Sequence, residues 1–381
     1  MRKIGIVAAV VFVASWMFSL LCMHAAGQAG GTVKEENGSV VSGESVLDGY
    51  GQTGVERSVS GQAAGWDSNG DSQDSGKTAV WNGNSHSADQ GDGEAYSRRI
   101  ILERYGVRTY LSVEDYLPGV MVCQTGPEMG MEALKCQAVI ARTYIYRQMG
   151  DREEIQEEEL DLDYLGDDTA LAGNTLTVHQ KEELAKRLEQ CRQAAEATAG
   201  VVMKYEDRYI LPLFHERSAG RTRTGEADYP YLQSVESRWD VEDGGAEIRT
   251  ADGDETGVSE VSFSFSEFAQ RIKNFSDAPS LDPERLSSEI QIVKRDDAGY
   301  VLQIKIGPRT YTGDDVQYAL DLPSSCFTID TRTSGTITVT VKGRGHGYGL
   351  SQNGAQAMAE EGWSYSDILN YYYKNISLVT E

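Results

Sequence analysis

Glycine occupies every second position from Gly343 to Gly349, near the end of the chain. A backbone with so few side chains can be approached closely by a ligand or by another strand, and it can adopt positive φ angles. Residues 335–341 alternate and are β-branched, which predicts a strand before the glycines. Residues 351–361 are rich in Ala, Gln, Met and Glu, which favours a helix after them. The sequence therefore predicts a strand, a glycine loop and a helix start that meet at one place.

Polar side chains are interleaved with these glycines and continue into the helix start. They are Arg344, His346, Ser351, Gln352 and Asn353, and such groups bind hydroxyls, amides and carboxylates. The stretch is not a dinucleotide fingerprint, because no acidic residue closes a βαβ unit after it, and it lacks the Gly-Lys-Ser/Thr ending of a P-loop. A tight turn whose glycines serve packing alone is the simpler alternative. The density of polar groups favours a binding site.

The charge balance excludes one class of partner. The chain has 381 residues, with 35 Lys and Arg against 59 Asp and Glu, a formal net charge of −24. Nucleic-acid binding needs a basic surface, so nucleic acid is not an expected partner. Electrostatic adhesion to anionic lipids or wall polymers is disfavoured for the same reason. A wall glycan would have to bind in a shaped, locally polar groove.

The N-terminus predicts a membrane anchor over residues 1–26. Arg2 and Lys3 precede an uncharged run from Ile4 to Met23, which is about the 20 residues needed to cross a bilayer core. A secretory signal peptide cleaved among the small residues 25–27 is the alternative, and it would give a secreted protein. The run is longer than a usual signal core, which favours an uncleaved anchor with the rest of the chain outside the cell.

Composition divides the remaining chain into two parts. Residues 27–97 are rich in Gly, Ser, Asp and Gln without an apolar period, which predicts a disordered stalk. Residues 98–381 predict one domain of the α+β (mixed) class with loop insertions, because short strands and helices follow each other without a doubly wound pattern. The predicted elements are a hairpin at 100–113, helices at 113–120, 129–149, 181–191, 262–275 and 363–373, strands at 201–205, 209–215 and 290–306, and solvated insertions at 151–168 and 240–257.

Four cysteines lie beyond the predicted anchor, and they permit disulfides without showing them. No C-x-x-C spacing suggests a zinc site. Small buried hydrophobic side chains are the favoured interpretation, for Cys123, Cys136, Cys191 and Cys326.

Three stretches together resemble the extracellular domain of the SpoIID/LytB family, also called amidase-enhancer-like. The first is Tyr116-Leu-Pro-Gly-Val120 with Glu132-Ala-Leu-Lys-Cys-Gln-Ala-Val-Ile-Ala-Arg-Thr-Tyr144. The second is His215 to Thr222, similar to His-Ser-x-Ser-Gly-Gly-Arg-Thr, and the third is the glycine loop with Ser351 and Gln352. The resemblance covers roughly residues 100–375.

This resemblance implies a protein that acts on peptidoglycan. The family includes lytic transglycosylases, which cut the MurNAc–GlcNAc bond and leave a 1,6-anhydro end. One carboxylic acid first protonates the leaving oxygen and then, once ionised, helps to remove the proton of the attacking sugar hydroxyl. The acid must be protonated near neutral pH, which requires an apolar setting that raises its pKa.

The family's glutamate corresponds here to Gln124, and the Met-Pro that follows it is replaced by Thr125-Gly126. An amide cannot donate and recover a proton. Glu128 is one candidate substitute, since one helical turn could bring it to the same face. Glu216 is the second, because it lies within the second motif. Whether the protein is an enzyme therefore stays open at this point.

The binding residues implied by the resemblance match the family pattern more closely than the catalytic position does, although Ala219 replaces a family glycine. A satisfied structural histidine is an equal alternative for each histidine among them. Some relatives hold a metal near the second motif, but no cysteine lies near His215, so no cofactor is expected and zinc is a weak hypothesis. The predicted substrate-binding residues are His215, Ser218, Gly220, Arg221, Thr222, Arg344, His346, Gly347, Ser351 and Gln352.

The sequence leaves three hypotheses for the function. The first is a membrane-anchored protein that grips glycan strands in sporulation or engulfment, has lost its catalytic acid and recruits or stimulates a partner such as a wall amidase. The second is an active lytic transglycosylase whose acid has moved to Glu128 or Glu216. A purely structural scaffold is the third, but it would leave the polar glycine loop without a purpose. The predicted location is the outer face of the membrane, in the cell wall or the intermembrane space of a sporulating cell.

Overall fold

The computed structural model describes residues 98–166, 176–241, 257–274, 281–282, 285–333 and 335–381. The predicted anchor and stalk lie outside these ranges, and so does most of the predicted insertion at 240–257, so these three remain predictions. None of the helices in the described ranges has the length and apolar character needed to span a bilayer.

The described residues mix helices with small sheets, which agrees with the predicted α+β class. The helices are α1 (Val113–Gln124), α2 (Met131–Met149), α3 (Glu157–Leu160), α4 (Val178–Glu196), α5 (Phe265–Asn274), α6 (Leu286–Glu289), α7 (Gly313–Leu320), α8 (Gln352–Glu360) and α9 (Tyr365–Tyr372). The strands are β1 (Arg99–Arg104), β2 (Val107–Ser112), β3 (Glu154–Gln156), β4 (Val201–Tyr205), β5 (Arg208–Tyr209), β6 (Phe214–His215), β7 (Val258–Ser264), β8 (Ile290–Arg295), β9 (Val301–Ile306), β10 (Arg309–Tyr311), β11 (Phe327–Asp330), β12 (Thr336–Lys342), β13 (Leu350–Ser351) and β14 (Ser377–Thr380).

The strands form sheets of two or three members in the described residues. Their orders are β2-β1-β3, β14-β4-β5, β10-β9-β8, β11-β12-β7 and β13-β6. The pair β13-β6 is parallel, and it places Leu350 opposite Phe214 and Ser351 opposite His215. This pair therefore joins the second and third sequence motifs.

The described residues form two hydrophobic cores, and Phe214 and Leu350 of this pair belong to the larger one. The larger one contains the buried faces of α1, α2, α4, α8 and α9 together with β1 and β4. The smaller one lies within residues 263–341 and contains α5, α7, β9 and β12. The aromatic C-terminal helix packs on the larger core as predicted, with Tyr372 fully buried.

Arg142, within the first sequence motif, ties the helices of the larger core together. Its fully buried guanidinium donates to the Glu114 carboxylate at 2.6 and 2.7 Å and to the carbonyls of Ala195 and Val201 at 3.1 Å. Such a buried ion pair is tolerated only when its remaining hydrogen bonds are made, as they are here. Arg142 thus fixes α1 against α2, α4 and β4, and α1 ends at Gln124.

Most of the predicted elements are present, and three predictions are wrong in detail. The acidic segment 151–168 is not entirely solvated, because Ile155 and Leu160 are buried and β3 pairs with β1. The predicted strand 209–215 is broken into β5 and β6, and residues 210–213 between them are not in strand conformation. Residues 262–264 continue β7 rather than begin the helix, because β7 pairs with β12 along its whole length.

The four described cysteines are free thiols, as the sequence favoured. Burial raises the pKa of the Cys123 and Cys191 thiols. Cys191 lies in the larger core, and the half-buried Cys123 packs against it. Cys136 is fully buried beside α9, and Cys326 is buried near Gly299.

Candidate functional site

Gln124, the position of the family's glutamate, lies in a group of three buried glutamines. Gln137 from α2 donates through Nε2 to Oε1 of Gln124 at 2.8 Å. Gln352, the first residue of α8, donates through Nε2 to the main-chain carbonyl of Gln124 at 2.8 Å and to Oε1 of Gln137 at 3.2 Å. The three bonds form a closed circuit, here called the amide ring. It joins three separate helices at the end of α1.

The ring has one possible hydrogen-bond direction. The Gln124 main-chain carbonyl can only accept, so Gln352 must present its NH₂ group to it and to Gln137. Gln137 therefore accepts through its oxygen and donates through its nitrogen, and Gln124 must accept through Oε1. The Gln124 carboxamide nitrogen is left outside the ring.

Neither of the predicted substitute acids lies in the amide ring. Glu128 is exposed in the turn between α1 and α2, and α1 ends at Gln124, so the helical turn that would bring Glu128 to the same face is not formed. Glu216 forms an ion pair with Arg344 at 3.5 Å. Its main-chain carbonyl accepts from the amide of Asn353 at 2.9 Å, which places it beside the start of α8. Glu216 thus lies beside the start of α8, whereas Glu128 is exposed in a turn.

Asp240 forms a second polar group on the other side of the same helix start. Its Oδ2 accepts from the Ser218 amide at 2.9 Å and from the Ser218 hydroxyl at 2.5 Å. Its Oδ1 accepts from the Ser351 hydroxyl at 2.9 Å and from the side-chain nitrogen of Asn353, Nδ2, at 3.0 Å. Only 1% of Asp240 is exposed. This group, the Asp240 cluster, joins both polar motifs to the short helical turn at Arg238–Asp240.

The amide ring and the Asp240 cluster meet at three consecutive residues. Ser351 and Asn353 contact Asp240, and Gln352 between them contacts Gln124 and Gln137. The start of α8 therefore places both groups side by side. The predicted meeting of loop and helix is confirmed.

The two predicted histidines are both buried but differ in their hydrogen bonds. His346 contacts the Phe214 carbonyl through Nε2 at 2.8 Å and accepts from the Tyr348 amide at Nδ1 at 3.0 Å, so both nitrogens are satisfied. His215 donates from Nδ1 to the Tyr348 carbonyl at 3.1 Å, while its buried Nε2 has no partner. Burial lowers the pKa of His215 to about 4 and that of His346 to about 3, so both rings are neutral near pH 7. His346 matches the structural alternative.

The loop glycines allow the second motif to pack directly on the third. A Cβ at Gly343 would lie 2.8 Å from the Arg217 carbonyl, and one at Gly345 would lie 2.8 Å from the His215 Cβ. A Cβ at Gly349 would overlap the Leu213 carbonyl, and all four loop glycines have positive φ. These glycines are accounted for by the approach of another chain segment. The close approach of the second motif, and not of a ligand, is therefore what these glycines allow.

Other predicted binding residues also make contacts within the protein. Arg221 forms an exposed ion pair with Glu236 at 2.9 Å, and the Thr222 hydroxyl accepts from the Val235 amide at 2.9 Å. Gly220 donates to the Ser218 hydroxyl at 3.1 Å. A Cβ at Gly347 would overlap the ring of Tyr300. Their assignment to substrate stays a prediction.

A metal centre has no support in the described part of the chain. No group of three or more His, Cys, Asp or Glu side chains is placed there to hold a metal ion.

Sequence reasoning missed two residues. Asp240 was assigned to the edge of a polar insertion, and its partners lie 22 and 111 residues away, so no local pattern could identify it. Gln137 lies in the predicted helix 129–149, among the buried residues of α2. A buried amide needs a hydrogen-bond partner, and that was the available signal.

Comparisons with known proteins agree with the resemblance seen in the motifs. A family profile described as Stage II sporulation protein matches residues 103–205. The stage II sporulation protein D of Bacillus amyloliquefaciens is 31% identical over 277 residues, covering 70% of this chain and 74% of that protein. The stage II sporulation protein D of Bacillus subtilis is 29% identical over 281 residues, covering 70% and 74%. An uncharacterized protein of Brachyspira hyodysenteriae is 28% identical over 277 residues, covering 71% and 67%.

Proposed function

The chain belongs to the stage II sporulation protein D family, and from this premise we propose that it binds peptidoglycan glycan strands during sporulation without cutting them. The observation that carries this proposal is the amide ring. The position of the family's acid is occupied by Gln124, and the side chains that contact it are other glutamines.

The chemistry of the ring explains why cleavage is not expected. Lytic cleavage needs a group that gives a proton to the leaving oxygen and then takes one back. A carboxamide does neither at neutral pH. General acid–base catalysis is worth about 10²- to 10⁴-fold in rate, so its loss leaves little turnover.

The surroundings of the ring support retention of a binding site. Gln352 and Ser351 keep the positions that the family resemblance assigns to the substrate, with Ser351 held by Asp240 and Gln352 held by the amide ring. With the predicted anchor, the domain would face the wall from the outer side of the membrane. A wall amidase or another membrane protein of the engulfment machinery would be its partner for cleavage.

An active transglycosylase with Glu216 as its acid is the second candidate. The position of Glu216 beside the start of α8 favours it over Glu128. Its ion pair with Arg344 argues against it, because a neighbouring guanidinium stabilises the charged carboxylate, whereas a general acid must carry a proton.

One experiment separates these candidates. Full-length protein is incubated with purified peptidoglycan, with and without stem peptides, and the pellet is assayed for bound protein. Mass spectrometry of the supernatant detects 1,6-anhydro-MurNAc, with an active lytic transglycosylase as the positive control.

We expect bound protein on both substrates and no anhydro product. Anhydro product that disappears in Glu216→Gln would identify an enzyme with a relocated acid, and Glu128→Gln is its matched control. A protein that sediments with neither substrate would refute glycan binding.

A further inference from the structure

Two atoms of the amide ring have no hydrogen-bond partner within the described part of the chain. They are Nε2 of Gln124 and Oε1 of Gln352, since every bond of these side chains runs through the opposite atom of the amide. Neither atom is among the fully buried, unpartnered ones, and each residue keeps 8% of its surface exposed, against 1% for Gln137. Both atoms are therefore unpartnered without being fully enclosed.

The direction of the ring fixes what these two atoms offer to a ligand. Gln124 presents a donor, and Gln352 presents an acceptor, because reversing either amide would place an NH₂ group against another NH₂ group or a carbonyl against a carbonyl. The two side chains come from α1 and α8, which are held together by the ring itself. The free donor and the free acceptor are thus both neutral and belong to two side chains of one hydrogen-bonded ring.

A secondary amide is the ligand group that best matches this pair. It carries an acceptor oxygen and a donor nitrogen on separate atoms and has no charge. A carboxylate would leave the Gln352 oxygen facing a second acceptor, and an ammonium group would leave the Gln124 nitrogen facing a second donor, and each mismatch is costly in a partly buried site. A single hydroxyl offers both functions on one atom.

We propose that Gln124 and Gln352 read the acetamido group of an N-acetylated sugar, with Gln124 donating to its carbonyl and Gln352 accepting from its N–H. This assignment rests on the proposed binding of glycan strands, in which each sugar carries such a group. The replacement of an acid by Gln124 then supplies a donor for recognition at the place where the family has its catalytic group.

The test compares two neutral tetrasaccharides that differ only in the substituent at one carbon of each sugar. Tetra-N-acetylchitotetraose carries the acetamido group, whereas cellotetraose carries a hydroxyl at the same carbon. Binding of each to the full-length protein is measured by calorimetry, and binding to intact peptidoglycan is measured in parallel. A site built to bond an N–H or a carbonyl rejects the analogue that lacks it, so we expect at least about a tenfold preference for the acetylated sugar.

Gln124→Met removes the donor while keeping the length of the side chain, and it should abolish the preference. Gln356→Met is the matched control, since Gln356 is also a buried glutamine of α8 but bonds to the Gly130 amide and to Glu360 outside the ring. It should keep the preference. If Gln124→Met does not fold, Gln124→Glu at pH 9 serves instead, because an ionised carboxylate can still accept from Gln137 but cannot donate to the ligand.

Equal affinity of the wild-type protein for the two tetrasaccharides would overturn the assignment while leaving peptidoglycan binding intact. A preference that survives in Gln124→Met, or in Gln124→Glu at pH 9, would also overturn it. Failure to bind either sugar or intact peptidoglycan would instead remove the proposed function on which the assignment rests.

Discussion

The amide ring and the Asp240 cluster lie side by side at the start of α8 and are built in opposite ways. The Asp240 carboxylate is charged and closed, because each of its oxygens accepts two hydrogen bonds from neighbouring segments. The amide ring is neutral and open, because one donor and one acceptor have no partner in the described residues. The charged group holds the fold together, and the neutral group is the part left free for a ligand.

This contrast bears on which residues can be assigned to ligand binding. Charge and burial alone would place the active group at Asp240, but all of its bonding capacity is used within the protein. A buried charge is costly unless it is satisfied, so its presence is weak support for a role in binding. Unmade hydrogen bonds at a partly exposed site are the better guide.

The largest effect is expected where the two motifs approach most closely. In Gly349→Ala, the new Cβ would overlap the Leu213 carbonyl at a residue with φ of 70°. We expect a loss of about 4 kcal/mol in the free energy of unfolding, from strain and overpacking together. Gly362→Ala is the control, because it has φ of 89° but no atom within 4 Å, and it should lose about 1 to 2 kcal/mol. Similar losses in urea unfolding would show that close packing is not the reason for the loop glycine.

The Asp240 cluster should be the more sensitive of the two polar groups. Asp240→Asn turns one acceptor into a donor that faces existing donors, so we expect a loss of about 3 kcal/mol in the free energy of unfolding. Glu236→Gln, at an exposed ion pair with Arg221, should change it by less than about 1 kcal/mol. If Asp240→Asn unfolds at the same urea concentration as this control, the hydrogen bonds of Asp240 do not stabilise the fold.

Acidic pH should lower the free energy of unfolding, because burial disfavours the protonated form of the histidines in the folded state. The folded-state pKa of His215, about 4, lies below the ordinary 6.5, so the unfolded chain binds more protons in between. Its contribution to stability is complete above pH 6.5 and is lost as the pH falls to about 4, with a slope of up to about 1.4 kcal/mol per pH unit. His215→Gln should flatten the curve of unfolding free energy against pH in this window.

His179→Gln, at an exposed position of α4, is the control for this slope and should leave the curve unchanged. If the unfolding free energies of wild type and His215→Gln depend on pH in the same way, His215 is not a buried ring that stays neutral in the folded state.

Local patterns predicted the elements around the site well. The β-branched alternation before the glycines became β12, and the Ala- and Gln-rich stretch after them became α8, because both depend on neighbours in sequence. The parallel pairing of Leu350 with Phe214 was not predicted, since the sequence indicated two polar motifs but neither their pairing nor their register. Short strands such as β6 are held by tertiary contacts rather than by propensity.

The roles of Asp240 and Gln137 could not be predicted in the same way. Each depends on contacts with residues far away in the chain, and each looks ordinary in its own segment. Gln124 was identified because a family pattern supplied the expected residue at that position. The ring that surrounds it became visible only when three helices were brought together.

The most direct test of the account is the rate of 1,6-anhydro-MurNAc release by the Gln124→Glu variant. In the amide ring, Gln137 would bond one carboxyl oxygen and leave the other, which carries the proton, facing the ligand. We therefore predict product from the variant at a rate at least about a hundredfold above that of the wild type, with binding to peptidoglycan retained in both. A variant that binds the strands but releases no product would contradict the claim that the ring is an intact, ligand-facing site lacking only its acid.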